Sequence, residues 1–363
     1  MLSFGIVGLP MVGKTTIFNL VTESGVQTSN FMTGKTETNV GMARVRDPRV
    51  DFLSRLYNPR RTVYAQVQCS DVPGLVRGAS EGRGVGNQFL EGIREVDLLV
   101  HVLRAFADPD VPHVEGEIDL LRDLETVSFE LLFADMELLE KRIGRIKSGK
   151  KINKANAFEL EVLEKCLDAL ENEVPLHQVE LTGEERAVLR NYNFLTEKPV
   201  ILVVNTDEEQ FKSRRYPGRE ALEEAASARG LKMIEICGQM EMEISRLSPE
   251  DRELFLADLG VKELGSDRLV RTAYEELGLI SFFTVGEDEV KAWTIRKGTD
   301  AKKAAGKIHS DIERGFIRAE VVAFNDLYQM GSMAKVREKG LARLEGRDYI
   351  VQDGDIINFR FNV

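Results

Sequence analysis

An eight-residue segment near the N-terminus has residue types and spacing suited to phosphate chemistry. Gly8-Leu-Pro-Met-Val-Gly13-Lys14-Thr15 fits G-x-x-x-x-G-K-[ST] and lies between an apolar stretch, Leu2–Val7, and a helical pattern. Its glycines let backbone N–H groups close around phosphates, and the helix N-terminus adds a favourable dipole. Lys14 would reach the β- and γ-phosphates, and the Thr15 hydroxyl would ligate Mg²⁺. The residues predicted to contact a nucleotide here are Gly8, Met11, Val12, Gly13, Lys14, Thr15 and Thr16.

A second motif, Asp71-Val-Pro-Gly74, fits D-x-x-G and follows an apolar stretch. Asp71 would hold the Mg²⁺, usually through water, and the Gly74 N–H would sense the γ-phosphate. Leu75 stands where Ras-like enzymes carry a water-orienting glutamine. An aliphatic side chain cannot orient water, so another residue, a partner or the substrate must do so. The glycine-dense segment 78–86 is typical either of a mobile switch or of a plain flexible loop.

The third motif follows the apolar stretch Val200–Val204 and reads Asn205-Thr-Asp-Glu208. Guanine-specific P-loop proteins have N-K-x-D here, and that aspartate accepts two hydrogen bonds from guanine. This chain has Thr206 for the lysine and Glu208 for the aspartate. Adenine lacks both of those donors, and a longer glutamate misplaces the acceptor for guanine. We therefore predict that Asn205 and Glu208 belong to a base site that prefers ATP.

Composition limits the classes of protein that the chain can belong to. Its 363 residues suggest two or three domains, and 43% hydrophobic and 30% charged residues are ordinary for a protein with a real core. The net charge of −11 excludes a protein that coats nucleic acid with its whole surface, so a polyanion must meet a local basic patch. Three cysteines without metal spacing (Cys69, Cys166 and Cys237) predict reduced thiols. We expect a cytoplasmic protein with no membrane partner and no DNA partner.

Apolar stretches that alternate with helical patterns predict an α/β fold with a doubly wound, mostly parallel sheet. The predicted strands are Leu2–Val7, Val63–Cys69, Asp97–Leu103, Pro199–Asn205 and Lys232–Cys237, and the first predicted helix is Lys14–Glu23. From about Ile280, short β-rich pieces surround a helical stretch, Ala301–Glu313, which predicts a small α+β domain. The predicted domains are 1–125 with 197–277, an inserted segment 126–196, and 278–363.

The inserted segment has two apolar series with heptad spacing, which predict an antiparallel helical hairpin. The series are Leu132, Met136, Leu139, Ile143 and Ile146, then Leu160, Leu163, Leu167, Leu170 and Val174. The predicted tip is basic, which suits phosphate backbones but is also common for a solvated helix end. Its basic residues are Arg142, Arg145, Lys147, Lys150, Lys151 and Lys154, and a second cluster contains Lys291, Arg296, Lys297, Lys302 and Lys303.

Several stretches resemble the YchF-type Obg-like ATPases, and the resemblance covers essentially the whole chain. They are Gly5-Ile-Val-Gly-Leu-Pro, 74–80, 86–90, 93–95, the N-x-x-E of 205–208, 290–295, His309, 314–320 and 348–363. The resemblance implies an ATPase domain, a coiled-coil arm and a C-terminal TGS domain of the β-grasp type. It also implies hydrolysis of ATP in preference to GTP and association with ribosomes. From the two basic clusters we expect that ribosomal RNA could be held between the arm and the C-terminal module.

The resemblance also brings a catalytic candidate and two departures. The catalytic candidates are Lys14 and His113, and His113 matches a family histidine proposed to assist hydrolysis. A loop histidine without a catalytic role fits the sequence at this position as well. Met11 replaces an asparagine linked to K⁺ dependence, and a thioether cannot replace that oxygen ligand, so K⁺ dependence is doubtful. Lys35 aligns with the Mg²⁺-binding threonine. Thr36 or Thr33 could supply the hydroxyl after a small register shift, or the Lys35 ammonium could lie against the γ-phosphate in place of metal ligation. We hypothesise intact nucleotide binding and slow hydrolysis.

Three functions remain open from the sequence. The first is an ATPase switch in translation. The second is an ATP-gated ribosome or RNA adaptor with little turnover, favoured by Leu75, Met11 and Lys35. The third is a conventional Obg-type GTPase, against which Thr206 and Glu208 argue.

Overall fold

The structure is a computed structural model that describes residues 2–26, 38–75, 85–149 and 154–362. The chain divides into two compact units, Met1–Gly41 with Gln68–Leu269, and Met42–Val67 with Val270–Val363. The predicted domain boundaries stay a prediction; this division keeps the predicted insertion 126–196 within the first unit and begins the C-terminal part at Val270 instead of at 278. Residues 42–67 group with the C-terminal part of the chain instead of with the phosphate loop. Among the described residues, no helix has both the length and the apolar character needed to span a bilayer.

The described strands and helices have the following bounds. The strands are β1 Ser3–Val7, β2 Asn39–Val45, β3 Arg61–Val63, β4 Ala65–Asp71, β5 Leu98–Arg104, β6 Val200–Asn205, β7 Lys232–Ile236, β8 Leu279–Val285, β9 Glu289–Arg296, β10 Phe316–Ala323, β11 Arg343–Glu345 and β12 Asp355–Phe361. The helices are α1 Lys14–Thr22, α2 Pro48–Tyr57, α3 Val85–Arg94, α4 Leu120–Lys147, α5 Lys154–Glu171, α6 Gly183–Leu189, α7 Glu208–Ser213, α8 Arg219–Ala228, α9 Gly238–Ile244, α10 Pro249–Asp258, α11 Gly265–Glu276, α12 Ala301–Ile308, α13 Ser310–Arg314, α14 Phe324–Met330 and α15 Met333–Glu338.

A six-stranded sheet in the order β2-β4-β1-β5-β6-β7 organises the first unit. Strands β4, β1, β5, β6 and β7 pair in parallel, and helices lie along the chain between β4 and β5, between β5 and β6, and between β6 and β7. The predicted α/β class with a mostly parallel sheet is confirmed. β1 and β5 are buried along their whole length, as expected of central strands covered on both faces. Because parallel strands share one carboxyl edge, β1, β5 and β6 bring the residues that follow them together.

The helical arm is formed by α4 and α5, which run in opposite directions. Arg142 near the end of α4 pairs with Glu159 near the start of α5, and the side-chain N and O lie 2.8 Å apart. The buried core of the arm includes most of the first predicted apolar series. The second series is partly wrong because Val162 and Cys166 are fully buried between its members, whereas Val174 lies beyond α5 and is exposed.

The second unit contains another six-stranded sheet, in the order β11-β10-β12-β8-β9-β3. Its short edge strand β3 pairs in parallel with β9, from Arg61 opposite Glu289 to Val63 opposite Lys291. This pairing explains why residues 42–67 group with the C-terminal part. The helical stretch predicted at 301–313 is two helices, α12 and α13, because His309 between them adopts an extended backbone with φ −161°.

Candidate functional site

The phosphate loop connects β1 to α1, and its glycines are required by close packing. Gly8 has φ 145° and Gly13 has φ 96°, conformations that L-residues with side chains rarely adopt. A Cβ on Gly8 would lie 2.5 Å from the Val102 carbonyl oxygen, and one on Gly13 would lie 2.2 Å from Asn205 Nδ2. The loop backbone therefore packs directly against β5 and against the residue that ends β6. Only glycine fits at these two positions.

Met11 lies in the middle of the loop with φ 64°, in the left-handed region. Asparagine enters this region far more readily than methionine, because its short polar side chain can hydrogen-bond locally. A left-handed conformation costs roughly 1–2 kcal/mol for an ordinary L-residue. The family resemblance implies asparagine at position 11. The left-handed backbone at Met11 favours asparagine there as well. Val12, the next residue, is buried under the loop.

Lys14 begins α1 and its ammonium lies inside the loop. Nζ donates hydrogen bonds to the carbonyl oxygens of Leu9, at 2.7 Å, and Gly8, at 3.2 Å. A Cβ on Gly74 would come within 3.1 Å of this Nζ and of Pro10 Cα. The glycine of the D-x-x-G motif therefore lies against the phosphate loop and its lysine. The structure thus places the first two sequence motifs next to each other.

Two predicted Mg²⁺ ligands are neighbours at the start of α1 and the end of β4. The Thr15 hydroxyl donates to Asp71 Oδ2 at 3.0 Å, and Asn39 Nδ2 donates to the same oxygen at 3.3 Å. Oxygen atoms of a hydroxyl and a carboxylate suit a hard cation such as Mg²⁺, so the donor set fits the metal. Asn39 was not singled out from the sequence, since an asparagine at the start of a strand gives no distinctive pattern.

Other predicted features around the metal fall outside the described residues. Thr36, Lys35 and Thr33 are among them, as is most of the glycine-dense segment 78–86. Leu75 is described and is completely buried. Its backbone N–H donates to the Gly8 carbonyl oxygen at 3.1 Å. The residue at the glutamine position of Ras-like enzymes thus packs inside the protein.

Asn205 connects the phosphate loop with the loop after β7. Its Nδ2 donates to the Val12 carbonyl oxygen at 3.0 Å, and its Oδ1 accepts from Gly238 N at 3.1 Å. The side chain is 5% exposed. Asn205 therefore positions two loops through both ends of its amide. A Cβ on Gly238 would meet Asn205 Oδ1 at 3.1 Å and Thr16 Cγ2 at 3.2 Å, so Gly238 joins the site although no sequence motif marked it.

The remaining two positions of the third motif differ in burial. Thr206 is 3% exposed, and its N–H donates to the Ile236 carbonyl oxygen at 2.9 Å. Glu208 is the first residue of α7, and its carboxylate pairs with Lys212 Nζ at 2.6 Å on the exposed helix surface. Thr206 is too short and too buried to cover a base as a lysine stem does. The Glu208 carboxylate is directed along its own helix.

His113 lies in the long connection between β5 and α4 and is nearly enclosed. Its side chain is 3% exposed, and Nε2 lies 2.9 Å from Asp123 Oδ2 on α4. Nδ1 accepts a hydrogen bond from Glu115 N at 3.2 Å. Burial raises the pKa of Asp123, which is also paired with Arg122. Both imidazole nitrogens thus have neighbours in the same connection and in α4, and the predicted catalytic role of His113 stays a prediction.

Arg104, at the end of β5, links this connection to the phosphate loop. Its guanidinium donates to the carbonyl oxygens of Val111, at 2.7 Å, and Met11, at 3.4 Å. It is 2% exposed and lies 4.4 Å from the centre of the Phe106 ring. Arg104 was missed from the sequence, although a charged residue that ends an apolar strand is a usable signal for a buried polar role.

A phosphate loop, a D-x-x-G turn and an asparagine at the ends of neighbouring parallel strands define a P-loop G domain. A family model described as a 50S ribosome-binding GTPase matches residues 3–132. The YchF-GTPase_C model, described as a protein of unknown function, matches residues 279–362. Relatives of nearly equal length match the whole chain, and the chain belongs to the YchF family.

Two curated relatives and one solved structure show the extent of the similarity. The ribosome-binding ATPase YchF of Bacillus subtilis is 45% identical over 364 residues, which is 100% of both chains. The protein of the same name from Haemophilus influenzae is 44% identical over 360 residues, 99% of each chain. The structure of the Schizosaccharomyces pombe YchF GTPase superposes with a TM-score of 0.86 at 32% identity, over 99% of this chain and 97% of that one. The names of these relatives differ in the nucleotide that they imply, ATP for the two bacterial proteins and GTP for the yeast protein.

Proposed function

We propose that this protein is a cytoplasmic P-loop switch that binds ATP in preference to GTP, hydrolyses it with Mg²⁺ and associates with ribosomes. The preference for adenine over guanine is inferred from the third motif, Asn205-Thr-Asp-Glu208. Guanine recognition needs a carboxylate aimed at two base donors and a long side chain over the base. Here Glu208 pairs with Lys212 at 2.6 Å, and Thr206 is buried under the loop. Neither residue offers what guanine requires.

The phosphate end supports Mg²⁺-dependent hydrolysis by the same site. Thr15 and Asp71 would hold the ion, and Lys14 would neutralise the β- and γ-phosphates. The metal would supply stabilisation of the charge that develops on the transferred phosphoryl group. Gly74 lies close enough to Lys14 for its N–H to face the same phosphate. These residues form the electrostatic part of the site, which supplies most of the catalysis in phosphoryl transfer.

Slow turnover is supported by the residues at the positions that would orient the attacking water, because none of them is ready to do so. Leu75 is fully buried and offers no polar atom. His113 would have to separate from Asp123 before it could assist, since Nε2 lies 2.9 Å from Oδ2. Met11 supplies no oxygen for K⁺. The second candidate function, an ATP-gated ribosome adaptor with little turnover, is supported by Leu75 and Met11, two of the residues that favour it in the sequence, and by the pairing of His113 with Asp123.

Ribosome association is supported by the relatives' names and by local basic charge. The relatives in Bacillus subtilis and Haemophilus influenzae are named ribosome-binding ATPases. At the arm tip, Arg145 and Lys154 are exposed, whereas Arg142 and Lys147 are paired with glutamates. In the second unit, Lys291 stacks 3.7 Å from the Trp293 ring centre, while Arg296, Lys297 and Lys302 are exposed. A protein with net charge −11 can still contact ribosomal RNA through such patches.

The test is a titration with fluorescent ATP and GTP in Mg²⁺, followed by single-turnover hydrolysis with and without K⁺. We expect ATP to bind at least tenfold more tightly than GTP, and Lys14→Ala to weaken both. The double variant Thr206→Lys, Glu208→Asp should shift preference toward GTP. Preference for GTP in the unaltered protein would refute the base assignment.

The same assay separates the two candidate functions and tests His113. Measurable cleavage of ATP supports the hydrolase, and tight binding without cleavage supports the adaptor. If His113 assists, His113→Ala should lower the single-turnover rate by about 10²-fold with ATP affinity retained. A lowered melting temperature with an unchanged rate would assign His113 a purely structural role beside Asp123.

A further inference from the structure

Strand β5 has two polar side chains, and only one of them is charged. Burial, and to a lesser extent the Lys14 charge, lowers the pKa of His101 to about 3, so its imidazole is neutral. Arg104 is 2% exposed, and burial lowers the pKa of its guanidinium as well. A guanidinium nevertheless stays protonated in proteins, because its ordinary pKa is very high. The strand therefore ends in a buried positive charge.

The Arg104 guanidinium is held by backbone carbonyl groups. Nε donates to the Phe106 oxygen at 3.1 Å, Nη1 to the Met11 oxygen at 3.4 Å, and Nη2 to the Val111 oxygen at 2.7 Å. Nη2 also lies 3.5 Å from the Asp108 carbonyl oxygen. Within the part of the chain that the structure describes, no carboxylate forms an ion pair with Arg104. A buried charge without an opposite charge is expensive, and the phosphates of a bound nucleotide would supply the opposite charge beyond the loop.

Arg104 and Asn205 are register partners on β5 and β6, and they hold two consecutive carbonyl groups of the phosphate loop. Arg104 holds the Met11 carbonyl, and Asn205 Nδ2 donates to the Val12 carbonyl at 3.0 Å. In a planar trans peptide, the carbonyl group and the N–H of the next residue point in opposite directions. The N–H groups of Val12 and Gly13 are therefore directed away from the two side chains that end these strands.

We propose that Arg104 is a positioning residue for phosphate binding, which holds the Met11–Val12 peptide so that the Val12 N–H faces the β-phosphate of the nucleotide. This role rests on the nucleotide binding proposed above. The N–H groups of a P-loop surround the phosphates. A hydrogen bond from a cation to a carbonyl oxygen also polarises the peptide and makes its N–H a stronger donor. Arg104 thus acts through the backbone and not by contact with the nucleotide.

The planar shape of the guanidinium also ties the loop to the connection that follows β5. Nη1 holds Met11 while Nη2 holds Val111, two residues before His113. Lysine carries a point charge on a flexible stem and lacks this fixed fork. The contact with Arg104 also helps to keep Met11 at its φ of 64°. An arginine is therefore required for both contacts at once.

The test compares the whole unaltered protein with Arg104→Gln by amide NMR and by calorimetric titration with Mg²⁺ and ADP. In the unaltered protein the amide protons of Val12 and Gly13 should move downfield at saturation, because a hydrogen bond to phosphate deshields the proton. In Arg104→Gln the displacement at Val12 should fall by about half or more, whereas the displacement at Gly13, which Asn205 supports, is retained. ADP should bind about tenfold more weakly. An unchanged displacement at Val12 overturns the proposal.

Leu103→Val is the matched control, because it trims a buried side chain of the same strand and leaves the guanidinium in place. It should lower the melting temperature and change neither the Val12 displacement nor the ADP affinity. An equal loss at Val12 in both variants would assign the effect to general destabilisation of β5 and overturn the proposal. If Arg104→Gln fails to fold, Arg104→Lys, which lacks the fork, should show the same loss at Val12, and an unchanged displacement there overturns the proposal.

A parallel titration with GDP separates this role from the proposed function. If the unaltered protein prefers GDP to ADP, the base assignment fails, and the Val12 comparison with GDP still decides the role of Arg104. If ADP binds and the Val12 displacement is the same with and without Arg104, only the role of Arg104 is refuted. If neither nucleotide binds the unaltered protein, the proposed function and the role of Arg104 are refuted together.

Discussion

Met11 holds the centre of the phosphate loop in a left-handed conformation, φ 64°, that its side chain does not favour. The strain lies next to contacts that fix the loop on both sides, from the Met11 carbonyl to Arg104 and from the Val12 carbonyl to Asn205. Strained residues persist where their surroundings determine the conformation, and such positions cluster at functional sites. Met11 thus has two disadvantages: its backbone conformation is strained, and its side chain has no oxygen to bind K⁺.

We predict that Met11→Asn raises both stability and K⁺ stimulation. Relief of the left-handed strain should raise the free energy of unfolding by up to about 1 kcal/mol, as measured by urea denaturation. The asparagine oxygen should also make single-turnover hydrolysis faster in K⁺ than in Na⁺. Met11→Gly is the matched control, because it removes the strain without supplying an oxygen. K⁺ stimulation of the same size in both variants would contradict the ligand argument.

His101 predicts a specific pH dependence of folding. The pKa of its imidazole is about 3 in the folded protein and 6.5 as the ordinary value. Between these values the unfolded chain binds a proton that the folded chain does not. Stability is therefore fully present above pH 6.5 and falls as the pH decreases toward 3. From pH 7 to pH 4 the loss from this residue is on the order of 3 kcal/mol.

The measurement is urea denaturation at pH 7 and pH 4 for the unaltered protein and for His101→Leu. The variant should lose less stability on acidification, by the amount attributed to His101. Other titrating groups are common to both proteins, so the difference isolates this residue. His177→Gln is the control, because His177 is exposed and its replacement removes a histidine without altering the core. Parallel losses in the unaltered and His101→Leu proteins would show that the imidazole is already protonated when folded.

At the scale of elements, the five parallel strands of the first sheet could be predicted to within about two residues, as Val200–Asn205 shows, whereas β2 was missed. Continuous apolar runs between turn residues mark buried parallel strands well. The arm was harder, since a strict heptad on α5 misses Val162 and Cys166, which pack against α6 and the segment after it. Strand β3 was merged with β4 because its three residues gain their pairing from β9, far along the chain.

Some residues of the candidate site could be predicted from the sequence, and others could not. Motifs with fixed spacing identified Lys14, Asp71 and Gly74, which the structure brings together. Arg104 and Gly238 contact residues distant in sequence, Met11 and Asn205 respectively, and a single sequence does not display such pairs. Asn205 was found, but its contacts with both loops became visible only in the structure.

The arm tip predicts how ribosome binding depends on salt. Each Lys or Arg that neutralises a phosphate contributes close to one unit to the slope of log affinity against log salt concentration. Arg145 and Lys154 are exposed. We expect Arg145→Gln with Lys154→Gln to reduce the slope by about two units, measured by ribosome co-sedimentation across a salt series.

Arg142→Gln is the matched control for this prediction. Arg142 is held by Glu159 and Tyr192, with Nε 2.9 Å from the carboxylate and 3.1 Å from the hydroxyl. Its loss should lower the stability of the arm and leave the salt slope unchanged. An unchanged slope in the Arg145 and Lys154 double variant would show that these charges do not contact the ribosome.

At the scale of the whole molecule, the second unit is assembled from two distant parts of the chain. Residues 42–67 contain α2 and β3, together with most of β2 and the start of β4, and residues 270–363 supply the rest. Arg49 on α2 pairs with Asp353 at 2.7 Å, and the Phe52 ring contacts the rings of Phe324 and Tyr328 at centroid distances of 5.6 and 4.9 Å. Val50 and Leu53 are fully buried. A C-terminal domain cut out at residue 278 or 270 would lack this helix and the edge strand.

We therefore predict that a fragment of residues 270–363 is unstable alone and is stabilised by a separate peptide of residues 42–67. The peptide restores the buried faces of Val50 and Leu53 and the pairing of β3 with β9, and binding to the folded form raises its melting temperature. Calorimetry of the fragment with increasing peptide measures this shift. A peptide with Arg49→Ala and Leu53→Ala should produce a much smaller rise, whereas Arg55→Ala, at an exposed position, should leave it unchanged. If the fragment alone melts cooperatively at a temperature that the peptide does not alter, residues 278–363 form the independent domain that the sequence predicts, and α2 and β3 are accessory to it.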